Sequence, residues 1–344
     1  MDLSFYRNKK VFITGHNGFK GSWMCKTLVE LGAKVCGYSL PPEELFGQMK
    51  LQNSVTSVEG DVADLDELSD AMLSFSPDVA IHMAAQPLVL ESYKDPVGTY
   101  RTNVMGTVNF MEAVRKCNVR SVVNVTTDKV YRNIEQDAGY REDDILDGVD
   151  PYANSKSCSE LVTSTYRKAF LDQTGTSVSA CRAGNVIGGG DWAKDRIVPD
   201  CVRAVMEKRT IKIRNPRSIR PYQHVLEPVC AYLMIAARQF SDRSLAGCYN
   251  IGPKDNDYTT TEELVKLFIK NWGSGSWESA EEKNAPHESG ILKLDSGKVK
   301  RVFGWSPKWN TEQAVAKTAE WYRTYADGND VPGKTSDQIK EYLR

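Results

Sequence analysis

Residues 10–23 read K-V-F-I-T-G-H-N-G-F-K-G-S-W. Val11, Phe12 and Ile13 predict a short buried strand, and Gly15, Gly18 and Gly21 follow at G-x-x-G-x-x-G spacing. From Phe19 to Leu31 the apolar positions take a helical period, and Gly32 stands where a helix-ending glycine belongs. A strand, a glycine turn and a helix N-terminus form a ready anion site. Glycine lets the backbone approach a pyrophosphate, and the helix end offers free N–H groups and the positive end of its dipole. Small residues in such a turn also occur for packing alone, so the rest of the chain has to decide between the two readings.

The chain has 344 residues, more than one typical domain and enough for a large core. Hydrophobic residues make up 41% and charged residues 26%, and the formal net charge is −1. No basic field argues for nucleic acid or an anionic membrane as partner. His16, His82, His224 and His287 show no metal-ligand spacing, so no metal is expected. The eight cysteines are scattered without a C-x-x-C pair, which suits buried thiols in a reducing compartment. The first ten residues lack a signal-peptide core, and no apolar run approaches a membrane span. A soluble cytoplasmic protein is expected.

Beyond the opening unit, strands are predicted over 33–39, 55–59, 78–83, 121–125 and 177–181, separated by helices that include 96–116. This alternation predicts an α/β fold, a Rossmann-type doubly wound parallel sheet, with a smaller α/β lobe after it. The second strand ends in Tyr38-Ser39-Leu40-Pro41-Pro42, with neither an acid for a ribose nor an Arg for a 2′-phosphate. After the third strand, Asp61 in Gly60-Asp61-Val62 either reaches an adenine amino group or begins the next turn. Ala84-Ala85-Gln86 lie beyond the fourth strand, where a ligand would rest.

The fifth strand leads into Thr126-Thr127-Asp128-Lys129, and after a charged loop Tyr152-Ala153-Asn154-Ser155-Lys156 opens a helix running to about Asp172. Tyr and Lys at i and i+4 share a helical face. A nearby ammonium stabilises a phenolate, which makes Tyr152 a suitable base for an alcohol proton during hydride transfer. Gly188-Gly189-Gly190-Asp191-Trp192, with Arg196 beyond, suggests a loop that closes on a ligand, or else a plain turn. Arg217, Arg220 and His224 are candidates for diphosphate contacts, since guanidinium matches phosphate geometry. Two final helices are expected, followed by a polar, loosely held tail beyond Asp327.

Together these segments resemble the extended short-chain dehydrogenase/reductase superfamily, and within it the nucleotide-sugar 4,6-dehydratases of the CDP-glucose type. The resemblance rests on T-G-H-N-G-F-K-G-S-W, H-M-A-A-Q-P-L-V, T-N-V-M-G-T-V, T-T-D-K, G-Y-R-E, D-P-Y-A-N-S-K, R-A-G-N-V-I-G-G-G-D-W-A-K-D-R, I-R-P-Y-Q-H-V-L-E-P and L-K-L-D, which span nearly the whole chain. Most extended relatives have an aliphatic residue where Lys20 stands, and many nucleotide-sugar dehydratases have Glu where Lys129 stands. The resemblance implies an NAD-binding domain over 1–181, a substrate lobe over 182–330 and a tail over 331–344, with segments near 223–253 returning to the large domain. It implies NAD held by Gly15, Asn17, Gly18, Phe19, Lys20, Gly21, Asp61, Val62, Ala84, Ala85, Gln86, Asn103 and Thr126, together with Tyr152 and Lys156. It implies a nucleotide-sugar substrate, CDP-glucose favoured, touched by Gln86, Asn185, Arg196, Arg220 and His287. Tyr152 would be the base at the C4 hydroxyl, aided by Lys156 and by Thr127 near O4. Asp128 would be the acid at C6, and Lys129 the partner at C5. A homodimer built on helices 97–116 and 152–171 is also implied. Another nucleotide-sugar dehydratase, for example one acting on a GDP-heptose, and a 4-epimerase are the alternatives. An epimerase has no use for the Asp128-Lys129 pair.

Overall fold

A computed structural model of the protein describes residues 1–42, 44–280 and 291–344. Among these residues the main sheet has strands β1 (Lys10–Thr14), β2 (Lys34–Ser39), β3 (Val55–Glu59), β4 (Val79–His82), β5 (Ser121–Thr127), β6 (Ser177–Ala183) and β7 (Cys248–Ile251). Their spatial order is β7-β6-β5-β4-β1-β2-β3, and every pairing is parallel. Nine helices of ten residues or more surround it: α1 (Phe19–Glu30), α2 (Leu65–Phe75), α3 (Gly106–Cys117), α4 (Pro151–Tyr166), α5 (Ile197–Met206), α6 (Leu226–Ser241), α7 (Thr261–Trp272), α8 (Thr311–Ala326) and α9 (Val331–Leu343). None is long and apolar enough to cross a membrane.

The period of two along β1 assigns the faces. Val11 and Ile13 join the core with Trp23, Met24 and Leu28 of α1 and with α6, while Phe12 joins the opposite core with Leu68, Met72, Phe110 and Val114. Aspartates define where the helices start. Asp64 accepts hydrogen bonds from the Asp66 and Glu67 N–H groups at α2, and Asp150 accepts from Ala153 N at α4, with Pro151 at its first position. Strand order reverses between β1 and β4, so a crevice opens at their carboxyl ends, the usual ligand position in such sheets.

β5 runs two residues past its expected end and takes in Thr126 and Thr127, which pair with Arg182 and Ala183 of β6. Threonine is a good strand former, and a partner strand keeps the ladder going. α6 and β7 belong to the sheet side. β7 pairs with β6, and Ser121 Oγ on β5 donates to the Ala236 carbonyl of α6.

The C-terminus departs from expectation. The helices there are Gly297–Phe303, α8 and α9, three rather than two, and α9 is docked rather than loose. Val331, Ile339 and Tyr342 are buried, and Trp321 Nε1 donates to Thr335 Oγ1 at 2.9 Å. Few apolar residues among many charged ones hid this stripe. Tyr342 donates its hydroxyl to Glu227 Oε2 at 2.5 Å, and the Lys308 and Trp309 N–H groups donate to the same carboxylate.

Burial pushes the Glu227 carboxyl up to about 7 in spite of those bonds. Its folded value is therefore above the unfolded one, and the native state holds the proton more tightly. The stability this gives is complete below the unfolded value of 4.5 and is lost as pH rises through about 7. In Glu227→Gln the amide oxygen keeps the two backbone bonds, the amide N–H₂ faces the tyrosine oxygen, and the titration is removed. Between pH 5 and 8 the unmodified protein should lose up to about 3 kcal/mol relative to the variant. Melting curves across that range measure it, and parallel pH dependences would contradict the assignment.

Candidate active site

The opening glycines build a cradle. Gly15 has φ 70°, and a Cβ there would lie 2.7 Å from the Ala84 backbone nitrogen. A Cβ on Gly21 would lie 2.1 Å from the Gly15 carbonyl oxygen, so α1 packs directly on the turn. Gly18 heads α1 and no side chain caps it, which leaves first-turn N–H groups for an anion. Asn17 is used at the β2 end: it donates to the Leu40 carbonyl at 2.7 Å and accepts from Ser39 Oγ at 2.8 Å.

A cavity of about 920 Å³ takes in this cradle, the carboxyl ends of the strands and residues between 191 and 222. Gly15, Asn17, Gly18, Phe19, Lys20, Gly21, Asp61, Val62, Ala84 and Ala85 line one part of it. Thr126, Thr127, Asp128, Lys129, Tyr152 and Lys156 line the middle, and Asn185, Arg196 and Arg220 the far side. Thr127 donates to Asp128 Oδ1 at 2.9 Å, and the Lys129 ammonium reaches the same oxygen at 3.4 Å. Asp128 is 1% exposed, and its Oδ2 finds no partner among the described residues. Asn185 Oδ1 is likewise buried and unpartnered. Orphaned acceptors facing a cavity suit the hydroxyls of a ligand.

The charges are mostly positive. Burial lowers Lys20 to about 8, with Arg196 and Lys129 adding to the effect and Asp128 and Asp191 opposing it. Burial lowers Lys156 to about 8 as well, helped by Lys20 and opposed by Glu160. Two ammonium groups that remain largely charged, with Arg196 beside them, favour an anionic occupant. Burial pushes the Tyr152 phenol up to about 12; the Thr127 hydroxyl and Arg196 pull it down, while Asp128 and Asp150 push it up. The sequence leads one to expect a phenol lowered by Lys156; here burial outweighs the lowering influences. A buried ammonium seeks an acceptor, and Lys156 Nζ turns to the Val125 carbonyl at 3.4 Å.

Several expected residues stand elsewhere. Gln86 does not line the cavity; its side chain donates to Thr99 Oγ1 at 2.9 Å and accepts from Leu88 N at 2.6 Å. Asn103 is fully buried outside the cavity and links Gln86 N to Ser155 Oγ, joining the β4 loop to α4. Asp61 lines the cavity, and its Oδ1 accepts from Ala63 N at 2.9 Å, so one of its oxygens serves the turn. His224, proposed for a diphosphate, is fully buried between Trp23 and Trp309, and burial lowers it to about 3, so it carries no charge near neutrality. Arg217 is exposed and outside the cavity. The three glycines are no flexible flap: a Cβ on Gly189 would meet the Trp321 ring at 2.0 Å, and Trp23 Nε1 donates to the Gly189 carbonyl. Val225 and Phe19 crowd Gly188, and Leu45 crowds Gly190, whose φ is 84°. His287 lies outside the described residues.

A family model described as GDP-mannose 4,6 dehydratase matches residues 12–318. The chain belongs to that family. It is similar to a CDP-glucose 4,6-dehydratase of Salmonella typhimurium, 42% identical over 100% of this chain and 98% of the other. Among solved structures it resembles a dTDP-glucose 4,6-dehydratase from Bacillus anthracis in complex with NAD, with TM-score 0.79 at 22% identity, covering 93% of this chain and 98% of that one. It also resembles DesIV, a dTDP-glucose 4,6-dehydratase from Streptomyces venezuelae with NAD and TYD bound, with TM-score 0.80 at 23% identity over 93% and 99% of the two chains. These two likenesses establish the shared fold.

For a member of this family, three residues that the sequence reading passed over are well placed. Asp191 is buried and holds Arg196 Nη1 at 2.9 Å, and both residues line the cavity. Glu160 and Arg182 lie behind the middle of the cavity and bond to its lining. Extending the Tyr152–Lys156 spacing by one more turn reaches Glu160, a signal that was available in the sequence.

Proposed function

We propose that this chain is an NAD-dependent CDP-glucose 4,6-dehydratase. The observation that carries the reading is the meeting of Thr127, Asp128 and Lys129 with Tyr152 and Lys156 in one cavity. The 42% identity to the Salmonella relative over the full chain supports CDP-glucose over other nucleotide sugars.

The cradle of Gly15, Gly18 and Gly21 and the uncapped start of α1 fit a dinucleotide pyrophosphate. Bound NAD would supply the acceptor for the C4 hydride and its return to C6. Tyr152 takes the C4 hydroxyl proton, with the Thr127 hydroxyl lowering the proton affinity of the phenol. The Lys156 contact to Val125, long at 3.4 Å, is weak and yields to a phenolate. Once C4 is a ketone, the C5 proton is acidic. Lys129 receives that proton when neutral, or stays charged and stabilises the enolate. Asp128 hands a proton to the departing C6 hydroxyl through its unpartnered oxygen. Arg196 and Arg220 hold the diphosphate. Turnover of a panel of nucleotide sugars, followed by mass spectrometry, should give loss of one water and fastest reaction with CDP-glucose. A product of unchanged mass would mean an epimerase.

NAD should bind more tightly than NADP. The cavity lining at the ends of β2 and β3 is Ser39, Leu40, Pro41, Gly60 and Asp61; it holds a carboxylate and no cation, and Arg101, 3.9 Å from that carboxylate, is not part of the lining. Fluorescence titration with both cofactors decides this, and tighter NADP binding would refute it.

A homodimer accounts for the exposed apolar residues along two helical segments, Val97 at 77% and Met105 at 50% on one, Leu161 at 57% and Phe170 at 45% on the other. Light scattering should give twice the chain mass. Eight free cysteines fit a reducing cytoplasm.

A further inference from the structure

Behind the cavity lies a buried ion pair that the proposed chemistry does not use. Glu160 and Arg182 are 3% and 2% exposed, and neither lines the cavity. Arg182 Nε and Nη2 donate to the two carboxylate oxygens at 2.9 and 3.0 Å, a bidentate fork that sets direction as well as distance. Glu160 follows Tyr152 and Lys156 on the same face of α4, two turns and one turn along. Glu160 Oε1 also accepts from Thr126 Oγ1 at 2.5 Å, and Thr126 immediately precedes Thr127 and Asp128. On its other side, Arg182 Nη1 donates to the Tyr131 hydroxyl at 2.7 Å and to the Glu142 carbonyl at 3.1 Å. Tyr131 comes two residues after Lys129, and its own hydroxyl donates to Asn250 Oδ1 on β7 at 2.6 Å.

One fork thus joins the helix that carries Tyr152 and Lys156 to both ends of the Thr127–Lys129 segment. Stability alone does not account for it. A buried ion pair gives little net stabilisation, and apolar side chains of similar volume often serve as well or better. What such side chains cannot reproduce is the directional coupling of α4, the β5 end and the segment after Lys129. We propose that the Glu160–Arg182 pair is a positioning device, holding Tyr152 and Lys156 at reacting distance from the substrate that Thr127, Asp128 and Lys129 engage. The proposal rests on the dehydratase reading of the cavity. A displacement of about 1 Å in such a set costs on the order of 100-fold in rate.

The test uses the full chain with NAD and CDP-glucose. Glu160→Gln keeps the shape and loses the charged fork; the double variant Glu160→Leu/Arg182→Met replaces the pair by apolar packing. Melting temperature, NAD affinity, kcat and KM are read for each. The expected result is a double variant melting within a few degrees of the unmodified protein, with NAD affinity and KM changed by less than about threefold and kcat lowered at least tenfold. Glu160→Gln should show the same split between kcat and KM. Unchanged kcat in a folded variant overturns the proposal, as does a loss confined to KM. If both variants fail to fold, the pair is a structural requirement and the proposal falls. Failure of the dehydratase reading is a separate result, seen as absent turnover by the unmodified chain.

Discussion

Tyr152→Phe is expected to abolish turnover while leaving the protein folded. The substitution removes one hydroxyl from a half-buried ring at the first turn of α4, whose N-terminus is capped independently by Asp150. The Thr127 hydroxyl keeps its bond to Asp128 Oδ1 at 2.9 Å, so stability should fall by only about 1 kcal/mol. The rate effect is far larger. Without the phenol no side chain at that point accepts the C4 proton, and a positioned general base contributes about 10²–10⁴ in rate. The loss should appear equally in kcat and kcat/KM, because the interaction is made in the transition state. Turnover within about threefold of the unmodified protein, under about 1 kcal/mol in barrier, would remove Tyr152 from the assignment.

Lys129→Ala is expected to separate the reaction into halves. The ammonium is 3.4 Å from Asp128 Oδ1 and its side chain 30% exposed, so its loss opens no core cavity. Asp128 keeps the Thr127 hydroxyl, and Lys20 remains as a cation within electrostatic reach. Tyr152, Thr127 and Lys156 are untouched, and with them the machinery for removing the C4 proton. Mixing the variant with NAD and CDP-glucose should therefore produce the absorbance of the reduced nicotinamide. Elimination should then be slow, by about 100-fold or more, with little exchange of the C5 hydrogen into deuterated solvent. Normal elimination would take Lys129 out of the mechanism. Failure to reduce NAD would move its role to binding or to the first step.

Much of the fold was legible because its signals are local. Val11, Phe12 and Ile13 before three spaced glycines, and apolar runs recurring between helices, imply a parallel sheet without knowledge of any distant contact. The site was legible where a strand end or a helical period places residues together, as with Thr126 to Lys129 and with Tyr152 and Lys156. Where chemistry depends on what packs across from a residue, the sequence was silent or misleading. His224 reads as a phosphate ligand from its neighbours in the chain, yet two tryptophans from elsewhere enclose it. Gly188 to Gly190 read as a loop that closes on a ligand until Val225, Trp321 and Leu45 are seen against them. The polar stretch after Asp327 reads as loose because the partners of Val331, Ile339 and Tyr342 come from other parts of the chain.

The sequence by itself therefore determined the sheet, the glycine cradle and the candidate side chains at the β5 end and on α4, because period, spacing and chain adjacency carry them. Only the tertiary structure decided which charges meet. Lys20, the adjacent Asp128 and Lys129, Lys156, Asp191 and Arg196 come from separate stretches of the chain, and their mutual effects follow from burial and distance. The same holds for Glu160 and Arg182, 22 residues apart in the chain and 2.9 Å apart in space. Electrostatic energy depends on separation and on exclusion of water, and neither is written in the order of the residues.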